Sequence, residues 1–484
     1  EPDFDVEKIP LDDAATYRLI SSGKTSGVFQ LESAGMRQML SNLAPERLDD
    51  VIAAIALYRP GPMDSIPTFI ERRHHPEKVT YATPLLEPIL RSTYGCVVYQ
   101  EQVMSIFREI GGYTFGHADV VRRAMSKKKA SVLLAERESF LAGAAERGVE
   151  REVAETLFTD MESFANYAFN KSHAAAYAII SYRTAYLKCH HPRAYFAALL
   201  TSVLGNQTKI AEYIAECASR GIRVLPPSIN ESRMLFSVSG KHIRFGLLAL
   251  KNVGRQFIEQ ILRERQNGPF ASFEEFIDRM PAGDLNKRMV ESLLRAGAFD
   301  GLGLHRSQML AVSERMIDRA AEKGRNNLDG QLDMFSMAGT LPSTPSCEYP
   351  DIPEFGIREK LLMEKEAAGM YFSGHPLEEY RAISEALNSP KTSYLYECLE
   401  TGKENDIDNQ NVSFLGVVTS VKKKVTKKDE IMAFCGVEDL FGNIEMIVFP
   451  KNFIMYGNLL SVGSIILVDG KISVKDEEVK LLAE

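Results

Sequence analysis

The sequence predicts a multidomain protein, mainly α-helical to about residue 310 and ending, after a polar connection, in an all-β module over 411–484. Three observations carry this reading. A chain of 484 residues is too long for a single hydrophobic core, so two to four domains are expected. Apolar side chains recur at helical spacing, as at Val103, Ile106, Phe107 and Ile110. Beyond residue 411 the period falls to two, with Met432, Phe434 and Gly436 alternating against Ile431, Ala433, Cys435 and Val437.

The elements follow in order. Arg59-Pro60-Gly61-Pro62 cannot lie inside a helix, because proline has no N–H to give and its ring clashes with the preceding turn; a rigid turn is predicted. Val153, Leu157 and Met161 continue the helical pattern, Leu225-Pro226-Pro227 breaks it, and it resumes near Arg255. Residues 245–310 read as short helices separated by glycine-bearing turns. From about 320 to 355 the chain turns polar and Pro/Ser-bearing, a linker by composition. In the last module Phe441-Gly442-Asn443 is a turn, Ile444, Met446 and Val448 alternate, Ile465–Val468 is expected to end in an Asp469-Gly470 turn, and Val479 and Leu481 follow. About five short strands predict a small barrel or sandwich.

With 45% hydrophobic and 25% charged residues the bulk is not disordered. No run of 18 apolar residues and no charged-then-apolar leader occurs, so neither a membrane span nor a signal peptide is expected. The six cysteines (Cys96, Cys189, Cys217, Cys347, Cys398, Cys435) are scattered without a C-x-x-C pair, which predicts reduced thiols and a cytoplasmic protein. A net charge of −8 argues against indiscriminate coating of nucleic acid and leaves room for local basic patches. The chain opens on Glu1 rather than Met, so its numbering is expected to begin inside a longer protein or after processing.

Several segments could carry chemistry. Ser21-Ser22-Gly23-Lys24-Thr25 imitates the end of a phosphate loop, but Arg18 stands where that loop needs its first glycine, which removes a nucleotide-driven motor. Asp3-Phe4-Asp5 and Asp12-Asp13 read as solvated acid, and no metal ligands are assigned. The run Arg122 to Lys129 places five basic side chains, Lys127 among them, beside Asp119. Its arginines could fork onto phosphate; the competing reading is a solvated helix end. Asn170-Lys171-Ser172-His173 opens a small-residue helix, as an anion site or as a simple N-cap. Leu248 to Arg255, with Lys251, Asn252, Val253 and Gly254 at its turn, has the shape of a helix-hairpin-helix, whose N–H groups meet DNA phosphate. Leu294 to Phe299 is a possible second half. Gln331, Leu332, Met334 and Phe335 put large side chains in the polar linker, as a peptide anchor would. Lys422, Lys423 and Lys424 start a basic run to Lys428, expected as a loop between the first two strands and a funnel for single-stranded nucleic acid.

Together these segments resemble the bacterial DNA polymerase III alpha subunits, the family C replicative polymerases. The resemblance rests on Ile9-Pro10-Leu11-Asp12-Asp13, Gly27 to Ser33, Tyr58 to Pro62, Tyr99 to Met104, Arg122 to Lys129 and Phe169 to His173. Leu225-Pro226-Pro227, Gln331 to Phe335 and Tyr371-Phe372-Ser373-Gly374-His375-Pro376-Leu377 extend it. It implies a palm-to-fingers junction over 1–20, helical fingers over 21–240, a helix-hairpin-helix and clamp-binding domain over 241–335, connecting helices over 336–410 and an OB-fold over 411–484. It also implies that a phosphoesterase-like domain and a palm, with three catalytic aspartates and two Mg²⁺ ions, lie upstream, and that a clamp-loader-binding tail follows. No catalytic residue and no metal is assigned to this chain, which alone would be inactive.

The implied activity is that of a DNA-directed DNA polymerase, a nucleotidyltransferase. By resemblance, Arg122, Arg123, Lys127, Asn170, Lys171, Ser172 and His173 would bind the incoming dNTP. Lys251 to Arg255 and Lys422 to Lys424 would bind primer-template DNA, and Gln331, Leu332, Met334 and Phe335 the sliding clamp. Other replicase subunits are expected partners, and a membrane is not. The alternative is a non-catalytic protein tethering DNA to a clamp.

Overall fold

The computed structural model describes residues 4–126, 130–164, 169–328, 348–400, 403–426, 428–475 and 478–484. It divides into two compact units, Glu1–Pro192 and Arg193–Glu484.

In the first unit the predicted helical stripe is realised on the helix Gln100–Glu109, where Val103, Ile106 and Phe107 are buried; Ile110 is buried at its C-cap. They pack with Phe140, Phe158 and Met161, so the helix Arg151–Phe164 buries Ala154, Phe158 and Met161 while Val153 and Leu157 flank the core. A second core forms around the helix Leu48–Leu57, apolar on nearly every side, and the helix Lys171–His190. Ile9, Tyr17 and Ile20 belong to that core, so the first twenty residues pack as part of the unit. The Arg59–Pro62 turn is present, with Gly61 at φ 104° leading into the 3₁₀ turn Pro62–Ser65.

Lys188 is fully buried and its Nζ donates to the carbonyls of Lys24 (2.8 Å) and Ser26 (2.7 Å). The segment that imitated a phosphate loop is thus a turn tied to a helix. Asp13 is not the solvated acid the sequence suggested. It caps the helix Ala14–Ser21, accepting from Thr16 N and Oγ1 at 2.7 Å, with His190 Nε2 at 2.9 Å. Burial works against its charge, but the His190 and Thr16 bonds outweigh that and hold its carboxyl down at about 2.

The second unit opens on helices Pro192–Ser202 and Gln207–Ser219 and a small sheet of β1 (Val224–Leu225), β2 (Ser237–Ser239) and β3 (His242–Arg244), ordered β1-β3-β2. Phe196, Tyr213 and Ile222 share one core with Ile243, Phe257, Phe276 and Leu293. That core includes residues on both sides of 240, and the two compact units meet in sequence at Pro192/Arg193.

The helix Ile357–Ala368 returns to that core through Ala367 and Ala368. It is held there by a buried ionic cluster. Arg306, 2% exposed, donates to Asp300 (2.6 Å) and Glu364 (2.9 Å), while Glu364 also accepts from the N–H groups of Phe372 (2.6 Å) and Ser373 (2.9 Å). The Tyr371–Leu377 motif thus closes on a buried carboxylate.

The final module is a closed barrel of β4 (Asn411–Val425), β5 (Ile431–Glu438), β6 (Asn443–Val448), β7 (Ile465–Lys475) and β8 (Glu478–Ala483), in the order β4-β5-β6-β8-β7. Among the described residues of the barrel, only β6 and β8 pair in parallel. Ala433, Cys435, Val437, Ile444, Met446, Val448, Val479 and Leu481 fill its interior, as the period-two pattern requires. Two expectations are corrected. Asp469-Gly470 is not a turn: both residues lie within β7, and glycine is needed because a Cβ at 470 would sit 2.2 Å from the Leu482 carbonyl oxygen. Lys422, Lys423 and Lys424 are not in a loop either. They lie in β4, opposite Phe434, Ala433 and Met432, in the stretch that pairs with β5 after its pairing with β7 ends at Val417.

Candidate nucleotide and nucleic-acid sites

In the first unit the predicted residues gather around the start of the helix Gln100–Glu109. Arg122 donates through Nε (3.1 Å) and Nη2 (2.8 Å) to Asp119 Oδ1 and through Nη1 to Gln100 Oε1 (3.1 Å). Arg123, largely exposed, also pairs with Asp119. The two arginines are thus i,i+3 and i,i+4 partners of one carboxylate, whose pKa their hydrogen bonds lower. Asn170 is the N-cap of the helix Lys171–His190, accepting from His173 N at 2.8 Å. Its Nδ2 donates to Glu101 (3.1 Å), and the Lys171 N–H donates to both Glu101 oxygens (3.1 and 3.0 Å). The anion at this helix N-terminus is the chain's own Glu101.

The tetrad faces two clefts. Lys171, its Nζ 5.3 Å from the Tyr99 ring centre, lines one of about 620 Å³ with Tyr99, Glu101 and Glu109. His173 lines another of about 660 Å³ with Phe29, Tyr58, Arg59, Phe169 and Tyr177. Ser172 is exposed at the first turn.

The second cleft holds an arrangement that sequence reasoning did not assign. Phe29 and Tyr177 lie 5.4 Å apart, Tyr177 and His173 4.4 Å, and His173 and Phe169 5.3 Å. The Arg59 guanidinium completes the run, 4.3 Å over the Phe169 ring. No described carboxylate pairs with Arg59. Tyr58 is seated against Gly35, where a Cβ would come within 1.9 Å of its hydroxyl. The signal was available: Phe169, His173 and Tyr177 are spaced by four along a helix start, and Arg59 opens the rigid Pro-Gly-Pro turn.

In the second unit, Asn252 adopts φ 63° at the hairpin turn, a left-handed conformation that asparagine tolerates. Lys251, Asn252, Gly254 and Arg255 are exposed, with Gly254 as N-cap of the helix Arg255–Glu264. Val253 is buried in the core, so only its backbone can meet a phosphate. Leu294, Ala296, Ala298 and Phe299 are all buried; this segment is a core turn and presents no second hairpin to solvent.

On the barrel wall, register aligns Lys422, Phe434, Ile447, Leu482 and Lys471 in one row across all five strands. This row faces outward, since the alternate residues fill the interior. Lys424 Nζ lies 5.9 Å from the Phe434 ring centre and Lys423 Nζ 5.7 Å from that of Phe453. Rings flanked by lysines suit a single strand, bases stacking while cations track phosphate.

Lys127, Gln331, Leu332, Met334 and Phe335 lie outside the described residues. Among the described residues no three His, Cys, Asp or Glu side chains gather as metal ligands, and no helix is long and apolar enough to cross a membrane.

Comparison with known proteins agrees along the chain. Residues 1–148 match the bacterial DNA polymerase III alpha subunit finger domain, 221–309 a helix-hairpin-helix motif and 412–484 an OB-fold nucleic acid binding domain. The DNA polymerase III subunit alpha of Thermus aquaticus is 42% identical over 488 residues, covering 100% of this chain and 39% of the relative. That of Borreliella burgdorferi is 38% identical over 486 residues, covering 100% of the chain and 42% of the relative. That of Mycobacterium tuberculosis is 38% identical over 492 residues, covering 99% and 41%. The chain thus spans about two fifths of the length of these relatives. Helical region, hairpin, barrel and whole-chain identity agree: along its whole length the chain is similar to part of the bacterial DNA polymerase III alpha subunits.

Proposed function

We propose that this chain is the part of a replicative DNA-directed DNA polymerase that binds the incoming nucleotide, the DNA and the sliding clamp. In the reaction, the primer 3′-hydroxyl attacks the α-phosphorus of a dNTP, a P–O bond forms, and pyrophosphate leaves. The aromatic run ending in Arg59 carries this reading. A base can stack on its rings while the guanidinium meets phosphate oxygens, with Lys171 and Arg122 at the neighbouring helix start. Magnesium ions would stabilise charge on the attacking and leaving oxygens. The described residues do not fit them: Asp5 and Asp13 are both spent as helix caps. In this reading the metal-holding carboxylates belong to another part of the polymerase. A tethering protein without polymerase activity would leave the aromatic cleft without a role.

Primer extension by the 484-residue chain in the presence of Mg²⁺ tests the division of labour. No extension is expected, and extension by the pure chain would overturn it. The clamp assignment is tested separately. Gln331→Ala combined with Phe335→Ala abolishes capture by immobilised clamp and leaves duplex binding intact; unchanged capture rejects the anchor.

A further inference from the structure

A cleft of about 610 Å³ in the second unit lies between the segment 233–237 and the end of the helix Arg255–Glu264, lined by Arg233, Met234, Leu262, Arg265 and Gln266 among others. Arg265 Nη1 donates to the carbonyls of Ile229 (3.1 Å) and Ser232 (2.8 Å), which fixes its guanidinium in the wall. Arg233 is exposed at the same cleft. No described carboxylate pairs with either arginine. Burial pushes the Arg265 pKa down, and the charge of Arg233 pushes it the same way. Two guanidinium groups sharing a half-buried volume repel each other, and an anion between them relieves the repulsion. Their planar forks match the oxygens of a phosphate.

The cleft adjoins the hairpin. Arg255, at its end, contacts Met234 of the cleft wall, with Nη1 3.0 Å from Sδ. From Arg255 to Arg265 the chain advances roughly 15 Å at helical rise, the axial span of about four nucleotides. The two ends therefore reach different phosphates. We propose that Arg233 and Arg265 form a second phosphate site, binding the backbone of the same DNA that the Lys251–Arg255 hairpin holds. This rests on the reading of the hairpin as a duplex contact.

The test is fluorescence anisotropy of a ~20-base-pair duplex with the 484-residue chain across a salt series, in which each lost phosphate contact removes about 0.9 from the slope of log K against log salt. Arg233→Gln is expected to weaken binding several-fold and lower the slope by that amount, with an unchanged melting temperature, while Arg233→Lys retains the slope. Unchanged affinity and slope in Arg233→Gln overturns the site. Tripolyphosphate separates the other source of the same chemistry: if it raises the melting temperature of the wild type but not of Arg233→Gln, and the duplex slope is unaffected, the cleft takes a free polyphosphate and the DNA assignment is wrong. Lys251→Glu is the control. If it weakens duplex binding while Arg233→Gln does not, the second site alone fails; if both are silent, the hairpin reading fails with it.

Discussion

Replacing Arg306 by methionine lowers the stability of the second unit by about 3–5 kcal/mol. The substitution roughly preserves the volume and the contacts of the arginine stem. It strands the carboxylate of Glu364, which is fully buried and has Arg306 as its cationic partner. Hydrogen exchange gives the readout, because the loss should appear as reduced protection across the helices Ile357–Ala368 and Arg306–Leu328. Adding Glu364→Met recovers only part of it. The Phe372 and Ser373 N–H groups then lose their acceptor, at about 1–3 kcal/mol each. A change below about 1 kcal/mol in Arg306→Met would show that apolar packing, and not this cluster, seats the returning helix.

Arg59→Ala weakens binding of a dNTP by the 484-residue chain by about 10- to 150-fold, the range of a charge-assisted hydrogen bond of ~1.5–3 kcal/mol. The guanidinium lies over Phe169 and no described carboxylate pairs with it, so its charge is open to a ligand. Arg59→Lys recovers part of the affinity, since an ammonium keeps the charge and loses the planar fork. Equilibrium binding of a labelled dNTP measures both variants. An affinity equal to wild type in Arg59→Ala would remove the aromatic cleft from the nucleotide site. Arg123→Ala serves as comparison. Its smaller expected effect follows from its exposed position and its pairing with Asp119.

Local periodicity made much of the fold legible. Val103, Ile106, Phe107 and Ile110 declare a buried helical face, and Ala433, Cys435 and Val437 a barrel interior, because each pattern depends only on neighbours in sequence. The errors arose where a distant partner decides. Gly470 reads as a turn until the Leu482 carbonyl fills the space its side chain would need. Lys422 to Lys424 read as a loop until the register with Phe434, Ala433 and Met432 is known. The same holds at the candidate site. That Asn170 caps a helix was readable, but the Glu101 carboxylate arriving from 69 residues away was not. Asp119 was counted against the basic run from the sequence, but that its one carboxylate pairs with both Arg122 and Arg123 became visible only in the fold.

The strand order of the barrel bears on how it is made. The last of its five strands in chain order, β8, inserts between β6 and β7 and supplies the one parallel pairing among the described barrel strands. While the ribosome is still producing residues 478–484, the nascent β6 and β7 each wait with an unpaired edge, open to other chains. Closure therefore waits until residues 478–484 have been made, and a chaperone shielding those edges would act in that interval.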